Sequence, residues 1–232
     1  MKAFVSAGAR ELASRSLGND RVLITGASGW LGRTALDLVL PLGLPTLALA
    51  SRPRVIRVGD KDVECHTWDD RRVAAFEPTV VLDCAFLTRD RVGEMPLGEY
   101  VAANRALTDR LLYATQLANV RLALTVSSGA AIYPHDALNG PLESNPYGYL
   151  KREAEQQLAQ AAKRSGAVPV VVRAWSISGA HVQKPQGYAL ASMIQDAING
   201  AVRIRSRRPD TALSDTYRKQ LLREYVATKH GP

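Results

Sequence analysis

Three stretches of the sequence hold residues whose types and spacing could do chemistry. In RVLITGASGWLGRTALDLV, Gly26, Gly29 and Gly32 recur every third residue between a buried apolar strand and a helix. Glycines there permit a tight turn and close backbone approach, and the helix N-terminus offers free N–H groups and a positive dipole to a pyrophosphate. In NPYGYLKREAEQQL, Tyr147 and Lys151 stand one helical turn apart on a shared face. An ammonium beside a phenol stabilises the phenolate, so the tyrosine exchanges a proton far below its free value near 10. LALTVSSGAAIYP ends an apolar strand in Ser127 and Ser128, where open parallel sheets place ligands, and a hydroxyl there can hold a substrate oxygen. Taken singly, these pieces read as an ordinary turn, a solvated pair and two serines opening a loop. Their order and their strand and helix surroundings favour the chemical reading.

Such residues need elements to position them. From Arg21 onward, short runs rich in Val, Ile and Leu alternate with longer segments of helical spacing, the pattern of parallel strands joined by crossover helices. The predicted strands are 21–25, 46–50, 63–66, 79–85, 120–127 and 168–173, and the clearest helices are 30–41, 100–118 and 147–163. A further helix is predicted over 187–199, stopped by Gly200. The expected fold is an α/β doubly wound parallel sheet of the Rossmann type with helices on both faces. Residues 1–20 read as a polar, helix-compatible extension, 21–180 as the dinucleotide-binding domain, and 181–232 as a shortened substrate region ending in a polar helix or loose tail.

Bulk composition bounds the rest. With 46% hydrophobic and 22% charged residues, the 232-residue chain is of ordinary globular type, long enough for one substantial core. The net charge of +8 raises the question of nucleic acid, but the bases are dispersed. The densest run, Arg203, Arg205, Arg207 and Arg208, has no aromatic residues interleaved as a stacking platform. The positive balance is assigned to an anionic cofactor, an anionic small-molecule substrate and solvated surface, with no nucleic-acid partner. Cys65 and Cys84 lack the companions that a zinc site or disulfide framework needs, so no metal is expected. No apolar run suits a signal core or a membrane span, and a cytoplasmic protein with no membrane partner is expected.

The three stretches occur together and in this order in the short-chain dehydrogenase/reductase superfamily, and residues 21 to about 205 resemble its extended branch, the NAD-dependent epimerase/dehydratase family. TGASGWLG is similar to the family's glycine loop, VSS to its serine strand, PYGYLK to its Tyr-x-x-x-Lys helix, and VVVRAWSISG to its Arg-containing strand and loop. The resemblance implies that Gly26, Gly29 and Gly32 hold the pyrophosphate and that Ser28, Trp30 and Leu31 of the same loop also belong to the cofactor site. It places Asp69 near the adenine and Ala85 beside the cofactor. Lys151 would bind the nicotinamide ribose and lower the pKa of Tyr147, the catalytic acid or base, while Ser128 bonds the reacting oxygen. Asn104 stands where the family often has a structural or active-site Asn.

Three departures bear on this transfer. One extra residue between the serines and the following tyrosine leaves Ser127 as a rival to Ser128. Ser51 and Arg52 stand where NAD binders carry an acidic residue, which favours NADP over NAD, since a guanidinium pairs with a 2′-phosphate. The sequence leaves the family pattern near Arg208. The resemblance implies hydride-transfer chemistry on a nucleotide sugar or related hydroxyl or carbonyl compound, in a homodimer formed through helices 100–118 and 147–163. An NADPH-dependent carbonyl reductase uses the same residues, and a non-catalytic NAD(P)-binding sensor or scaffold is the alternative of another class.

Overall fold

The computed structural model describes residues 7–132, 142–175, 177, 179, 181–182, 193–194 and 197–199. Its elements in chain order are α1 (Ala7–Leu17), β1 (Val22–Thr25), α2 (Trp30–Val39), β2 (Thr46–Leu49), β3 (Arg54–Val58), β4 (Lys61–His66), α3 (Asp70–Phe76), β5 (Val80–Asp83), α4 (Leu97–Thr115), β6 (Leu122–Ser128), α5 (Pro146–Ser165) and β7 (Val168–Ala174). They form one seven-stranded sheet in the order β3-β4-β2-β1-β5-β6-β7, parallel except for the β3–β4 pair.

Alternation along β1 divides the core. Leu23 packs on one face of the sheet with Leu49, Val81, Leu111, Ala123 and Leu158. Val22 and Ile24 pack on the other with Leu36, Val39, Ala48 and Val80. Period-two side-chain direction thus feeds two apolar layers, and helices cover both, as a doubly wound sheet requires. Burying a Leu or Val of this kind stabilises the fold by about 1.5–3 kcal/mol.

The expected strands and long helices are present, with two corrections. The sheet has seven strands because Arg54–Val58 pairs antiparallel with β4 through the two-residue turn Gly59-Asp60. Gly59 takes the left-handed conformation (φ 61°) that such a turn demands. The N-terminal residues are more than an extension. Ala13 is buried, Leu17 packs on the α2 side of the sheet, and α1 contacts α2. The predicted helix over 187–199 falls mostly outside the described residues, of which 193, 194, 197 and 198 are helical; Gly200 and the tail lie outside them.

Asp20, just before β1, fastens the lower edge of the sheet. It accepts from Thr79 Oγ1 at 2.7 Å and from Arg121 Nε at 3.0 Å, while Arg121 also donates to the Ser16 carbonyl at 3.0 Å. Burial pushes the Asp20 carboxyl up, but hydrogen bonds from Arg121 and Thr79 and the charge of Arg121 outweigh it, and the net shift is downward. A lowered folded-state pKa gives stability that is full above about pH 4 and is lost as pH falls through the folded value. Asp20→Asn is expected to cost about 1 kcal/mol at pH 7, since Arg121 is half exposed and solvent screens the pair. Melting curves should show roughly 2–4 °C between the two proteins at pH 7, shrinking at pH 3. A gap that persists unchanged in acid would remove the ionic account.

Candidate active site

The strand order reverses between β1 and β5, and parallel sheets open a crevice at such a point beyond their C-terminal ends. A cleft of 340 Å³ lies there. Its floor is Thr25, Gly26, Asp83, Cys84 and Ala85; Ser28 and Gly29 come from the glycine loop; Leu49, Ala50 and Ser51 from the end of β2. Trp68, Phe86, Leu87, Leu107 and Arg110 close its sides.

The three glycines divide the work of the loop. Gly26 turns the chain with φ 61°, and a Cβ there would sit 2.6 Å from the Cys84 carbonyl oxygen. A Cβ on Gly32, in the first turn of α2, would strike the Gly26 carbonyl and lie 2.6 Å from Ala27 Cα. These two serve the turn and the packing of helix on strand. Gly29 differs, for its backbone is extended (φ −78°, ψ 176°) and an added Cβ meets only the Gly26 carbonyl oxygen, at 3.2 Å. It N-caps α2 without any side-chain cap and borders the cleft. The residues therefore fit an anion laid on the first turn of α2, with Gly29 leaving the room. Trp30 and Leu31 begin α2 half-buried and are not among the cleft residues.

The start of α5 sets Tyr147 and Lys151. Asn145 caps the helix by accepting from Gly148 N at 3.1 Å, Pro146 occupies the first turn, and Gly166 ends the helix with φ 80°. Tyr147 meets Phe86 edge to face, with ring centroids 5.8 Å apart and planes at 76°. Lys151 is 6% exposed; its ammonium donates to the Val126 carbonyl at 2.6 Å and lies 3.7 Å from the centroid of the same Phe86 ring. Burial pulls its pKa down to about 8, opposed by the charge of Asp83 and smaller effects of Cys84 and Glu155. Phe86 thus joins the Tyr-Lys pair to the cleft.

The two serines separate by strand alternation. Ser127 is buried and donates to Glu155 Oε1, and Glu155 is in turn held by Arg173 Nε at 3.0 Å and Nη2 at 2.6 Å. Its hydroxyl is committed to fastening α5 on β6 and β7. Ser128 points the other way, half-buried, and accepts from Ala130 N at 3.2 Å. That bond uses an oxygen lone pair and leaves the hydroxyl proton to donate.

Asp69, Asn104 and Arg52 are not among the residues that line the cleft. Asp69 is exposed and caps α3, accepting from Arg72 N at 2.7 Å, while its neighbour Trp68 faces the cleft. Asn104 makes structural contacts, one of the two roles the resemblance implied. It is fully buried, and Oδ1 accepts from Leu87 N at 2.8 Å while Tyr100 OH donates to Leu87 O at 2.8 Å, so α4 grips the cleft wall from behind. Arg52 is exposed beyond β2 and outside the cleft, whereas Ser51 is in it. The cleft's guanidinium is that of Arg110, 5.8 Å from the Trp68 ring centroid.

Phe86, Trp68, Leu107, Arg110 and Asp83 were not singled out from sequence. Asp83 gave a readable signal, a carboxylate ending the apolar run VVL at a strand's C-terminal edge. Leu107 and Arg110, three apart on α4, share a face that only the tertiary arrangement shows to be the cleft's.

A doubly wound sheet with a glycine turn at its switch point and a Tyr-x-x-x-Lys helix alongside is the fold and residue arrangement of the short-chain dehydrogenase/reductase type. The chain belongs to the NAD dependent epimerase/dehydratase family, whose model matches residues 22–216. No curated protein sequence matches it. Among solved structures it is similar to UDP-glucose 4-epimerase from Brucella ovis in complex with NAD, with TM-score 0.62 and 21% identity over 82% of this chain and 66% of that one. UDP-glucose 4-epimerase from Thermotoga maritima with UDP-glucose gives TM-score 0.59 and 19% identity over 78% and 64%. UDP-glucuronic acid 4-epimerase from Bacillus cereus in complex with NAD gives 0.56 and 16% over 78% and 63%. The chain thus spans slightly under two thirds of the length of these proteins.

Proposed function

We propose that the protein binds a nicotinamide dinucleotide in the switch-point cleft and acts on a hydroxyl group of a nucleotide sugar, with Tyr147 as acid and base. The observation that carries this reading is the placement of Phe86, which lines the cleft and touches both Tyr147 and Lys151. Gly29, Ser28 and the uncapped start of α2 would hold the pyrophosphate, and Ala85 and Ser51 would border the rest of the cofactor. When bound, the dinucleotide supplies a hydride acceptor and donor. Ser128 would hold the substrate oxygen by its hydroxyl proton. The phenol oxygen of Tyr147 would take up the hydroxyl proton and give it back, with the Lys151 ammonium lowering the cost of the phenolate. The relatives named for UDP-sugars support this substrate class.

The test is the absorbance spectrum of the purified protein for retained NAD(P), followed by turnover with UDP-hexoses and UDP-hexuronates. Isomerised sugar without net reduction of added NAD is expected. Net oxidation of NADPH with a simple carbonyl compound would favour the reductase reading instead.

The preference between cofactors is proposed to rest on positive charge near Ser51, favouring NADP. Arg110 lines the same cleft as Ser51 and Arg52 follows Ser51 in sequence, so Arg110→Ala is expected to weaken NADP by about tenfold or more and Arg52→Ala by less. Calorimetric Kd values for both cofactors decide this. NAD binding tighter than NADP in the unaltered protein sinks the preference.

A further inference from the structure

Asp83 has no part in the chemistry above, yet it is a carboxylate on the floor of the cleft and 5% exposed. Its setting spans three strands. Thr25 on β1 pairs in register with Asp83 on β5, and Asp83 pairs with Thr125 on β6. Thr25 Oγ1 donates to Asp83 Oδ1 at 2.5 Å and Thr125 Oγ1 donates to Oδ2 at 2.8 Å. Thr25 Oγ1 also accepts from Ala85 N at 3.3 Å, which commits its proton to the carboxylate. Both oxygens therefore receive a hydroxyl proton, the arrangement that favours the ionised form.

The Lys151 ammonium binds Val126 O, one residue along β6 from this row. The other charged or titratable groups around it are accounted for. Glu155, one turn along α5, is neutralised by Arg173 and bonded by Ser127. Cys84 is held as a thiol, its pKa raised to about 12 by burial and then by Asp83. Tyr147 is the proposed acid and base. Among the described residues no carboxylate lies within 4 Å of Lys151, and Asp83 acts on it through space. Burial outweighs the hydrogen bond from Thr25, the charge of Lys151 and the bonds from Thr125 and Ala85 N, and the net shift of the Asp83 carboxyl is upward.

We propose that Asp83 is a positioning residue for the Tyr147-Lys151 pair: its carboxylate, cradled by Thr25 and Thr125, keeps the buried ammonium charged and thereby sets the pH at which Tyr147 exchanges its proton. The effect on Tyr147 rests on the enzymatic reading proposed above, whereas the coupling of Asp83 to Lys151 does not.

The experiment is an NMR titration of the full chain labelled with 15N at lysine side chains, the Lys151 signal being assigned from its loss in Lys151→Arg. Asp83→Asn is expected to lower the Lys151 midpoint by about one pH unit or more, the usual effect of losing one close opposite charge. The pH profile of kcat/KM should move with it. Asp83→Asn with an unchanged midpoint overturns the proposal, whatever it does to the melting temperature, because a merely structural carboxylate affects stability alone. Should Asp83→Asn fail to fold, Thr125→Val removes one of the two donors and is expected to shift the midpoint in the same direction by less; no shift there overturns the proposal equally. The titration requires neither cofactor nor substrate. A protein that binds no NAD(P) while its Lys151 midpoint falls in Asp83→Asn would refute the enzymatic reading and leave the Asp83-Lys151 coupling standing.

Discussion

Tyr147→Phe is expected to lower kcat by about a hundredfold to ten-thousandfold, the usual contribution of a positioned acid or base, while leaving the dinucleotide dissociation constant nearly unchanged. The phenylalanine ring keeps the edge-to-face contact with Phe86, and the cap made by Asn145 involves only its own side chain and the Gly148 N–H. Only the ionisable hydroxyl is lost. Lys151→Ala should differ, because it removes an ammonium that bonds Val126 O and lies against the Phe86 ring, so both turnover and cofactor affinity fall. With the Lys151 pKa at about 8, the charged form dominates at neutral pH and is lost as pH rises through that value. Activity that depends on the ammonium should therefore decline on the alkaline side. Steady-state kinetics from pH 6 to 10, with calorimetry of the cofactor, separates the two variants. Wild-type turnover in Tyr147→Phe would end the proposed mechanism. Cofactor binding without turnover in the unaltered protein, across all the UDP-sugars tried, would favour a sensing or scaffolding role.

The contrast between what sequence disclosed and what it withheld follows the range of the interactions involved. Strands such as Val22–Thr25 and Val80–Asp83 are buried runs, and α5 carries its own Asn145 cap, Pro146 start and Gly166 stop, so local chemistry places them. The β3 strand of the β3–β4 hairpin was not among the expected strands, although its turn carried a signal. Gly59-Asp60 is a two-residue turn signal, but Arg54, Arg57, Lys61, Asp62 and Glu64 break the apolar pattern of an exposed edge. Within the site, the glycines, Tyr147, Lys151 and Ser128 stood out by type and spacing. Ser127 and Ser128 differ in surroundings through the direction of alternation on β6, which turns Ser127 toward Glu155 and its partner Arg173. A carboxylate after a strand suits both a ligand contact and a helix cap, and Asp69 makes the cap to Arg72 N. Phe86, Trp68 and Arg110 come from three different connections or helices, and nothing local marks their convergence.

Gly29→Val should abolish dinucleotide binding in a protein that still folds, whereas Gly32→Val should disrupt folding itself. Gly29 has a backbone conformation open to any residue, and the one close neighbour of an added Cβ, the Gly26 carbonyl oxygen at 3.2 Å, needs to give by only a few tenths of an ångström. The branched methyls would then stand where the backbone of the loop now borders the cleft, over the uncapped N-terminus of α2. Loss of at least about a hundredfold in affinity is expected, since displacing a pyrophosphate forfeits several charge-assisted hydrogen bonds of roughly 1.5–3 kcal/mol each. At Gly32 the added carbon meets backbone on two sides, the Gly26 carbonyl and Ala27 Cα at 2.6 Å, and neither can swing away as a side chain would. Separating α2 from the turn would cost about 3 kcal/mol or more, roughly 6–12 °C in Tm for a chain of this size. A thermal melt and a calorimetric titration with NAD and NADP, made on each variant, separate lost binding from lost folding. A Gly29→Val protein that melts like the parent and binds both cofactors with parental affinity would show that no pyrophosphate lies against this turn, and the assignment of the cleft as a dinucleotide site would fall with it.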